Sequence, residues 1–337
     1  MIRHVLHTGP FTFEAGGTLE SIDIVYHTAG RRNGKVVWIC HALTANSDVE
    51  DWWPQLVGPG QLIDPEKYFI VCVNMLGSAY GSSGPSSINP STGKPYYFDF
   101  PKVTIRDTIA ASILVRKELG IGRIDLIVGS SIGGFQALEW SVTEPEVISH
   151  AALIATSPRI SPWFTAMNEA QRMALEADLT FRACENLEGG AAGLKCARAQ
   201  GLIAYRSYEG YGRTQKEEDE DTIFAEKAAS YERYQGEKLV RRGFDAYSYY
   251  YLCSALDSHN VGRGRGGVEK ALSLVKAETT VVGIASDGLF PPSEVRGMSS
   301  LIPGASYHEI DSDFGHDGFL LEYTQLKNIF KPVLERL

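Results

Sequence analysis

A serine lies between a strand pattern and a helix pattern near the middle of the chain, and this stretch constrains the fold more than any other. Residues 124–128 are mostly apolar, as in a buried strand. The next residues are Gly129-Ser130-Ser131-Ile132-Gly133, after which apolar residues recur at helical spacing. The sequence therefore predicts a strand, a tight turn and a helix, with a serine in the turn.

The two glycines select Ser131 as the serine at the apex of the turn. Ser131 has glycines two residues before and two residues after it, whereas Ser130 would need a glycine in place of Val128. The G-x-S-x-G pattern is typical of the nucleophile elbow of α/β-hydrolase folds, where a strained turn exposes the serine hydroxyl. We therefore predict an α/β-hydrolase fold, a mostly parallel central sheet flanked by helices, with Ser131 as nucleophile.

A serine nucleophile needs a base and an acid that orients the base, and in this fold the acid and then the histidine follow the serine. Asp287 comes directly after the strand pattern 279–286, and His316 lies between another strand pattern and the C-terminal helix. We predict that Asp287 orients His316 and that His316 deprotonates Ser131. Asp311 and Asp313 are alternative acids, ranked lower because they lie too close to His316 in sequence to approach it easily.

The loop after the strand pattern Val36–Cys40 is predicted to supply part of an oxyanion hole. In α/β hydrolases a backbone N–H of this loop acts together with the N–H of the residue after the nucleophile. The corresponding residues are Leu43 and Ile132. Only backbone atoms are used, so the apolar side chains of both residues remain free to pack in the core.

The alternation of strands and helices stops between about residues 161 and 276, where helical patterns dominate. This fold carries its lid at this point, so we predict a discontinuous α/β core of residues 1–160 and 277–337 and a helical lid insertion of residues 161–276. The predicted lid helices cover residues 164–177, 191–205, 222–234 and 245–256.

Two glycine-containing stretches require separate interpretations. The stretch from Met75 to Pro101 is long, uncharged for most of its length and without periodicity, which predicts a pocket wall. Gly262–Gly267 fits the G-x-G-x-x-G pattern of dinucleotide-binding loops. We reject that interpretation because the motif must follow a strand, and this one follows a helix pattern and a polar stretch.

Composition excludes several classes of function. The formal net charge is −9 and there is no basic stripe, so no nucleic-acid partner is expected. No apolar run approaches the roughly 20 residues of a membrane span, and the N-terminus lacks the apolar segment of a signal peptide. We therefore expect a cytoplasmic protein. The five cysteines and eight histidines show no metal-binding spacing, which predicts reduced thiols and no metal site.

Several segments together resemble the homoserine O-acetyltransferases, acyltransferases of methionine biosynthesis. The matching segments span nearly the whole chain: His41–Thr44, Trp52–Trp53, Leu56–Gly60, Gly84–Pro90, Thr92–Pro95, Phe100–Asp107, Gly133–Gly134, Gln136–Trp140, Tyr205–Ser207, Val261–Gly267 and Gly315–Phe319. The chain departs from the family at the elbow, where the family usually has glycine at position 130 and methionine at position 132. Ile132 still offers its N–H, but the acyl pocket is expected to differ in shape.

The resemblance implies a ping-pong transfer of an acetyl group from acetyl-CoA to the hydroxyl of L-homoserine through an acyl-Ser131 intermediate. Acetyl-CoA is then a substrate, with no bound cofactor, and the sequence shows no phosphate loop for it. The resemblance also implies that Arg206 binds the carboxylate of homoserine and Asp317 its ammonium group. It further implies a homodimer through the lid helices, for which the tyrosine-rich stretch 246–252 is one choice.

Alternative functions remain open at this point. A serine esterase uses the same triad with water as acceptor. An acyltransferase that uses succinyl-CoA, or serine as acceptor, is equally compatible, since one methylene is worth only about 1–3 kcal/mol of discrimination. A non-catalytic binding protein fits less well, because such a protein is expected to have lost at least one of the three triad residues.

Overall fold

The computed structural model describes residues 1–337 and is built around an eight-stranded sheet. The strands are β1 (Ile2–Thr8), β2 (Ile22–Ala29), β3 (Lys35–Cys40), β4 (Tyr68–Val73), β5 (Ile124–Ser130), β6 (Ile148–Ile154), β7 (Glu278–Ile284) and β8 (Ser306–Ile310). Their spatial order is β1-β2-β4-β3-β5-β6-β7-β8. Only β2 runs in the direction opposite to the other seven strands, so the predicted mostly parallel sheet is confirmed.

Helices flank the sheet and fill the segment between β6 and β7. They are α1 (Val49–Trp52), α2 (Ile105–Glu118), α3 (Ile132–Thr143), α4 (Pro162–Glu176), α5 (Leu179–Ala183), α6 (Ala191–Tyr205), α7 (Tyr208–Thr214), α8 (Lys227–Arg241), α9 (Ala246–Asp257), α10 (Val268–Leu272), α11 (Pro292–Leu301), α12 (Gly318–Leu321) and α13 (Tyr323–Glu335). Helices α4 to α10 all lie between β6 and β7. None of the helices is long and apolar enough to cross a membrane.

The central strands are apolar on both faces because helices cover both faces. In β3, Val36, Trp38 and Cys40 belong to one apolar cluster, and Val37 and Ile39 belong to the other. This alternation follows from the two-residue period of a strand. The larger cluster continues into the segment between β6 and β7 through Phe164, Leu194 and Tyr247, among others. One face of the sheet therefore shares its core with these helices.

Helix α8 starts later than its pattern predicts. The sequence predicts a helix over residues 222–234, whereas α8 runs from Lys227 to Arg241. The carboxylate of Glu217 accepts the backbone N–H of Glu226 at 2.7 Å and that of Lys227 at 2.6 Å. These N–H groups have no acceptor within the helix, so a side chain about ten positions upstream determines where the helix begins.

The stretch from Met75 to Pro101 contacts strand β2 rather than the cavity at Ser131. The hydroxyls of Ser82 and Ser83 accept backbone N–H groups of β2 at 2.9 and 2.8 Å. Part of the stretch borders an open polar cavity of about 860 Å³, which contains none of the predicted site residues. The predicted pocket wall therefore belongs to a different cavity, because pairing with β2 holds the loop there.

The arginines of the Gly262–Gly267 motif join this loop to other parts of the chain. Arg265 pairs with Glu139 of α3 at 2.6 Å, and Arg263 pairs with Glu14 at 2.7 Å. Glu139 is buried, so its charge requires a partner. The motif thus ties its loop to the helix that follows Ser131.

Candidate active site

Ser131 lies at a strained turn between β5 and α3. Its backbone has φ +57° and ψ −126°, a conformation that costs a non-glycine residue roughly 1–3 kcal/mol. Two hydrogen bonds hold the turn: the Ser131 N–H donates to the Ile154 carbonyl at 3.0 Å, and the Thr156 hydroxyl donates to the Ser131 carbonyl at 3.1 Å. The predicted turn is present, with Ser131 at its apex.

The glycines around Ser131 are required by close backbone contacts. A Cβ atom on Gly129 would lie 2.0 Å from the carbonyl oxygen of Gly133. A Cβ atom on Gly133 would lie 2.1 Å from the carbonyl oxygen of Cys40. Any side chain at either position would push α3 away from β5 or β3, so the spacing of the motif has a steric cause.

Asp287 and His316 form a buried pair at the ends of β7 and β8. His316 Nδ1 lies 2.8 Å from Asp287 Oδ2, and both residues are 3% exposed. Asp287 Oδ1 accepts the backbone N–H groups of Leu289 and Phe290 at 2.8 and 3.0 Å. A carboxylate can only accept hydrogen bonds, so the proton is placed on Nδ1, which leaves Nε2 with a free lone pair.

The other two aspartates near His316 do not contact it. Asp313 is exposed and pairs with Arg213 at 2.7 Å. Asp311 is also exposed, and its backbone N–H donates to Gln325. Only Asp287 therefore has the geometry of an orienting acid.

Ser131 and His316 line the same cavity, which has a volume of about 320 Å³. His316 Nε2 is buried and has no hydrogen-bond partner. The contact between such a base and its serine is often long before substrate binds. The structure thus brings together a serine hydroxyl, an imidazole with one free nitrogen and the carboxylate that orients it.

The backbone N–H groups of the two predicted oxyanion-hole residues have no hydrogen-bond acceptor within the protein. Ile132 is the first residue of α3, so its N–H has no acceptor within the helix. Leu43 lies in the turn after β3, and its N–H makes no backbone hydrogen bond. Leu43 and Ser131 line the same cavity, and Gln136 of α3 donates to the His41 carbonyl at 3.2 Å, which joins the two segments.

His41 stabilises the turn that contains Leu43. It is fully buried, and burial lowers the pKa of its imidazole to about 4, so the ring is neutral. Its Nε2 accepts the Met75 N–H at 3.1 Å, which leaves Nδ1 to donate to the Ala42 carbonyl at 2.9 Å. A neutral histidine thereby determines the backbone course beside Leu43.

Arg206 and Asp317 lie in the same cavity and pair with each other. Arg206 Nε is 2.9 Å from Asp317 Oδ2, and Arg206 Nη2 is 3.3 Å from the Tyr231 hydroxyl. A Cβ atom on Gly315 would come within 2.9 Å of the backbone around Arg206. This close approach brings the end of α6 against the loop that contains His316 and Asp317.

Comparison with known proteins assigns the chain to a family. A family model of the alpha/beta hydrolase fold matches residues 35–323. The chain is 43% identical over 323 residues to a homoserine O-acetyltransferase from Cyclobacterium marinum, covering 95% of this chain and 91% of that relative. This chain belongs to the homoserine O-acetyltransferase family. The resemblance inferred from the sequence segments is thereby confirmed.

Solved structures with this architecture include members of the family and esterases. A homoserine O-acetyltransferase from Bacillus anthracis aligns with a TM-score of 0.88 at 25% identity, over 99% of this chain and 96% of that one. An acetylester hydrolase from Corynebacterium glutamicum aligns with a TM-score of 0.86 at 26% identity, over the same shares. Proteins named as transferases and as hydrolases thus share the fold, so the acceptor must be argued from the site.

Several cavity residues of this family member were not predicted from the sequence. They include Trp52, Arg198, Tyr205, Lys238 and Arg242. On amphipathic helices, cations such as Arg198 and Lys238 look like ordinary surface residues. Only the packing of α6 against α8 shows that they face one cavity. No cluster of three metal-ligating side chains is present.

Two tyrosines of α7 do not reach the cavity. Tyr208 is 90% exposed. Tyr211 donates a hydrogen bond to Glu232 of α8, and burial, together with this contact, raises the pKa of the Tyr211 hydroxyl. Neither tyrosine lines the space in front of Ser131.

Proposed function

We propose that this chain transfers an acetyl group from acetyl-CoA to the hydroxyl of L-homoserine through an acyl-Ser131 intermediate. The observation that carries the proposal is one cavity with two kinds of groups. Ser131 and the His316–Asp287 pair provide a nucleophile, a base and its orienting acid. Arg206 and Asp317 provide the opposite charges that a zwitterionic acceptor requires. The names of the relatives support the same acceptor and acyl group.

In the first half-reaction, His316 Nε2 takes the proton of the Ser131 hydroxyl as its oxygen attacks the thioester carbonyl. The N–H groups of Leu43 and Ile132 stabilise the tetrahedral oxyanion, each contributing roughly 3 kcal/mol. Asp287 stabilises the imidazolium that forms. The C–S bond then breaks, the thiol leaves with the proton from His316, and the acyl group stays on Ser131.

In the second half-reaction, the hydroxyl of homoserine gives its proton to His316 and attacks the acyl-serine carbonyl. The ester bond to Ser131 breaks, and His316 returns the proton to the serine oxygen. The product is O-acetylhomoserine. The same base and oxyanion hole thus serve both steps, as a ping-pong mechanism requires.

The Arg206–Asp317 pair supports an amino acid as acceptor. Each of these charges neutralises the other in the substrate-free cavity. A bound amino acid offers a carboxylate to Arg206, whose planar guanidinium suits a bidentate contact, and an ammonium group to Asp317. Water or a neutral alcohol carries neither a carboxylate nor an ammonium group, so it cannot replace the partner that Arg206 and Asp317 provide for each other. The site therefore favours a zwitterionic acceptor over water or a neutral alcohol.

Incubation with acetyl-CoA, with and without homoserine, tests the proposal. We expect thiol release to accelerate strongly when homoserine is added, with O-acetylhomoserine as product. Equal rates of release in both samples would identify a hydrolase instead. Repeating the assay with propionyl-CoA, succinyl-CoA and serine separates the remaining transferase alternatives.

Arg206→Ala is expected to impair acceptor use more than acyl-enzyme formation. Loss of a charge-assisted contact predicts a decrease of about 10- to 150-fold in kcat/KM for homoserine. The rate of Ser131 acylation, measured in a single turnover without homoserine, should change less than about threefold. Arg213→Ala is the matched control, because Arg213 is 66% exposed and pairs outside the cavity. Equal losses in both half-reactions would contradict carboxylate binding by Arg206.

A homodimer through the lid helices is a further part of the proposal. The tyrosine-rich stretch 246–252 is unsuitable as its contact, since Tyr247 and Tyr249 are fully buried within the protomer. Helix α4 instead exposes Trp163, Ala166, Ala170 and Met173, at the alternating spacing of three and four residues that is typical of helix seams.

Met173→Asp tests this surface. We expect the variant to sediment as a monomer at concentrations where the unaltered chain is a dimer, because burying an unpaired carboxylate is costly. Leu301→Asp, at an exposed position of α11, serves as the control. An unchanged dimer in the Met173 variant would exclude α4.

A cytoplasmic location completes the proposal. None of the five cysteines is paired in a disulfide. Disulfides are rare in the reducing cytosol, so the free thiols support this location.

A further inference from the structure

Three cationic side chains line the mouth of the Ser131 cavity. Arg198 lies on α6, Lys238 lies on α8, and Arg242 directly follows α8. The same three residues line a smaller adjacent cavity of about 80 Å³. None of Ser131, Asp287 and His316 lines that smaller cavity, so the cations extend from the reaction site toward its entrance.

Two of these cations have no carboxylate partner. The cavity contains two ion pairs, Arg206 with Asp317 at 2.9 Å and Arg242 with Asp51 at 2.6 Å. These pairs use both carboxylates of the lining, which leaves Arg198 and Lys238 uncompensated. The chain as a whole carries a formal net charge of −9, so a locally positive entrance is not a consequence of composition.

Packing holds Arg198 in position without neutralising it. Its guanidinium carbon lies 5.8 Å from the centre of the Tyr205 ring. The carboxylate of Glu232, on α8, interacts electrostatically with Arg198, but it accepts the hydrogen bond of the Tyr211 hydroxyl. Burial raises the pKa of Glu232, whereas the charges of Arg198 and Arg206 lower it, and Glu232 forms no ion pair with Arg198. The Arg198 charge therefore remains available to an anionic ligand.

We propose that Arg198 and Lys238 bind the phosphate groups of the acyl donor. This inference rests on the proposed function, which requires a nucleotide-linked thioester whose reactive carbonyl reaches Ser131. The phosphates of such a donor carry several negative charges at the far end of a flexible arm. Arginine forks and a lysine ammonium are the side chains that suit phosphate oxygens. The donor's arm then occupies the cavity, and its phosphates occupy the mouth.

The acceptor does not account for these cations. A single amino-acid carboxylate is matched by Arg206, which lies beside Asp317 and next to the His316 loop. Arg198 and Lys238 border the smaller cavity, which neither Arg206 nor Asp317 lines. Two uncompensated charges at the entrance are therefore assigned to the larger, polyanionic substrate.

A comparison of two acyl donors tests the proposal. We would measure kcat/KM for acetyl-CoA and for S-acetyl-N-acetylcysteamine, a thioester without phosphates, in Lys238→Gln and Arg198→Gln. Loss of one charge-assisted phosphate contact predicts a decrease of about ten- to hundredfold for acetyl-CoA. The phosphate-free donor should change less than about twofold. Lys238 is exposed and unpaired, so its substitution is expected to leave the fold intact.

Lys195→Gln is the matched control, since Lys195 is an exposed cation of α6 outside both cavities. Equal effects of Lys238→Gln on the two donors, or no effect on either, would overturn the proposal.

A competitor separates this proposal from the proposed function. Adenosine 3′,5′-bisphosphate carries phosphates but no thioester, and its binding by calorimetry does not depend on any acyl transfer. We expect its affinity to decrease about ten- to hundredfold in Lys238→Gln and Arg198→Gln, and to decrease with added salt in the unaltered protein. Unchanged affinity in the variants would overturn the phosphate site. A protein that binds this competitor but is never acylated would contradict the proposed function alone.

Discussion

Ser131→Ala is expected to abolish the covalent acetyl-protein and to reduce kcat by roughly 10⁴- to 10⁶-fold. The substitution removes only the hydroxyl. The backbone hydrogen bonds of the turn, from the Ser131 N–H to Ile154 and from Thr156 to the Ser131 carbonyl, do not involve it. The fold and the oxyanion N–H groups should therefore persist, so the decrease in kcat can be attributed to the missing Ser131 hydroxyl. The measurement is intact mass after incubation with acetyl-CoA.

Ser130→Ala provides the control for this experiment and tests the register of the motif. Ser130 is fully buried and its hydroxyl has no hydrogen-bond partner. Its removal should leave the acetyl adduct in place and change kcat only slightly. An adduct that persists in Ser131→Ala, or that disappears in Ser130→Ala, would remove Ser131 from its proposed role.

Asp287→Asn is expected to reduce kcat by about 10⁴-fold with little loss of structure. The reason lies in the two oxygens of Asp287. Oδ1 accepts the N–H groups of Leu289 and Phe290, so an asparagine must keep its carbonyl oxygen there. Its NH2 group then faces His316 Nδ1 and donates to it. The histidine is left with its proton on Nε2, where it cannot act as the base for Ser131.

The rate of acyl-enzyme formation in a single turnover measures this effect. Asp313→Asn is the matched control, because Asp313 is exposed, pairs with Arg213 and does not contact His316. We expect the control to retain nearly full activity. A larger loss in Asp313→Asn than in Asp287→Asn would identify Asp313 as the orienting acid instead.

Features that depend on neighbours in sequence were predictable. The elbow follows from the spacing of Gly129, Ser131 and Gly133, because only glycine allows the backbone contacts at about 2 Å on either side of the serine. The central strands were recognisable because a strand covered on both faces is apolar throughout. The helices α4, α6 and α9 were predicted to within two residues at each end, since each buries a periodic face.

The errors involve contacts between residues distant in sequence. Helix α8 begins where Glu217 accepts its first N–H groups, and the Met75–Pro101 stretch is held by serines that bond to β2. Strand β1 was not predicted because its residues are mostly exposed, none of them is buried, and it depends on pairing with β2. A pattern in one segment carries no information about the partner that completes its hydrogen bonds.

The sequence by itself determined the fold class, the position of the nucleophile and the order of serine, acid and histidine, because these depend on local sterics and on where strands end. Only the tertiary structure decided that Asp287 rather than Asp311 or Asp313 contacts His316. It alone showed that Arg206 and Asp317 pair across the cavity and that cations of α6 and α8 meet at its mouth. These contacts join residues that are distant in the chain, and their geometry depends on how the helices pack against the sheet.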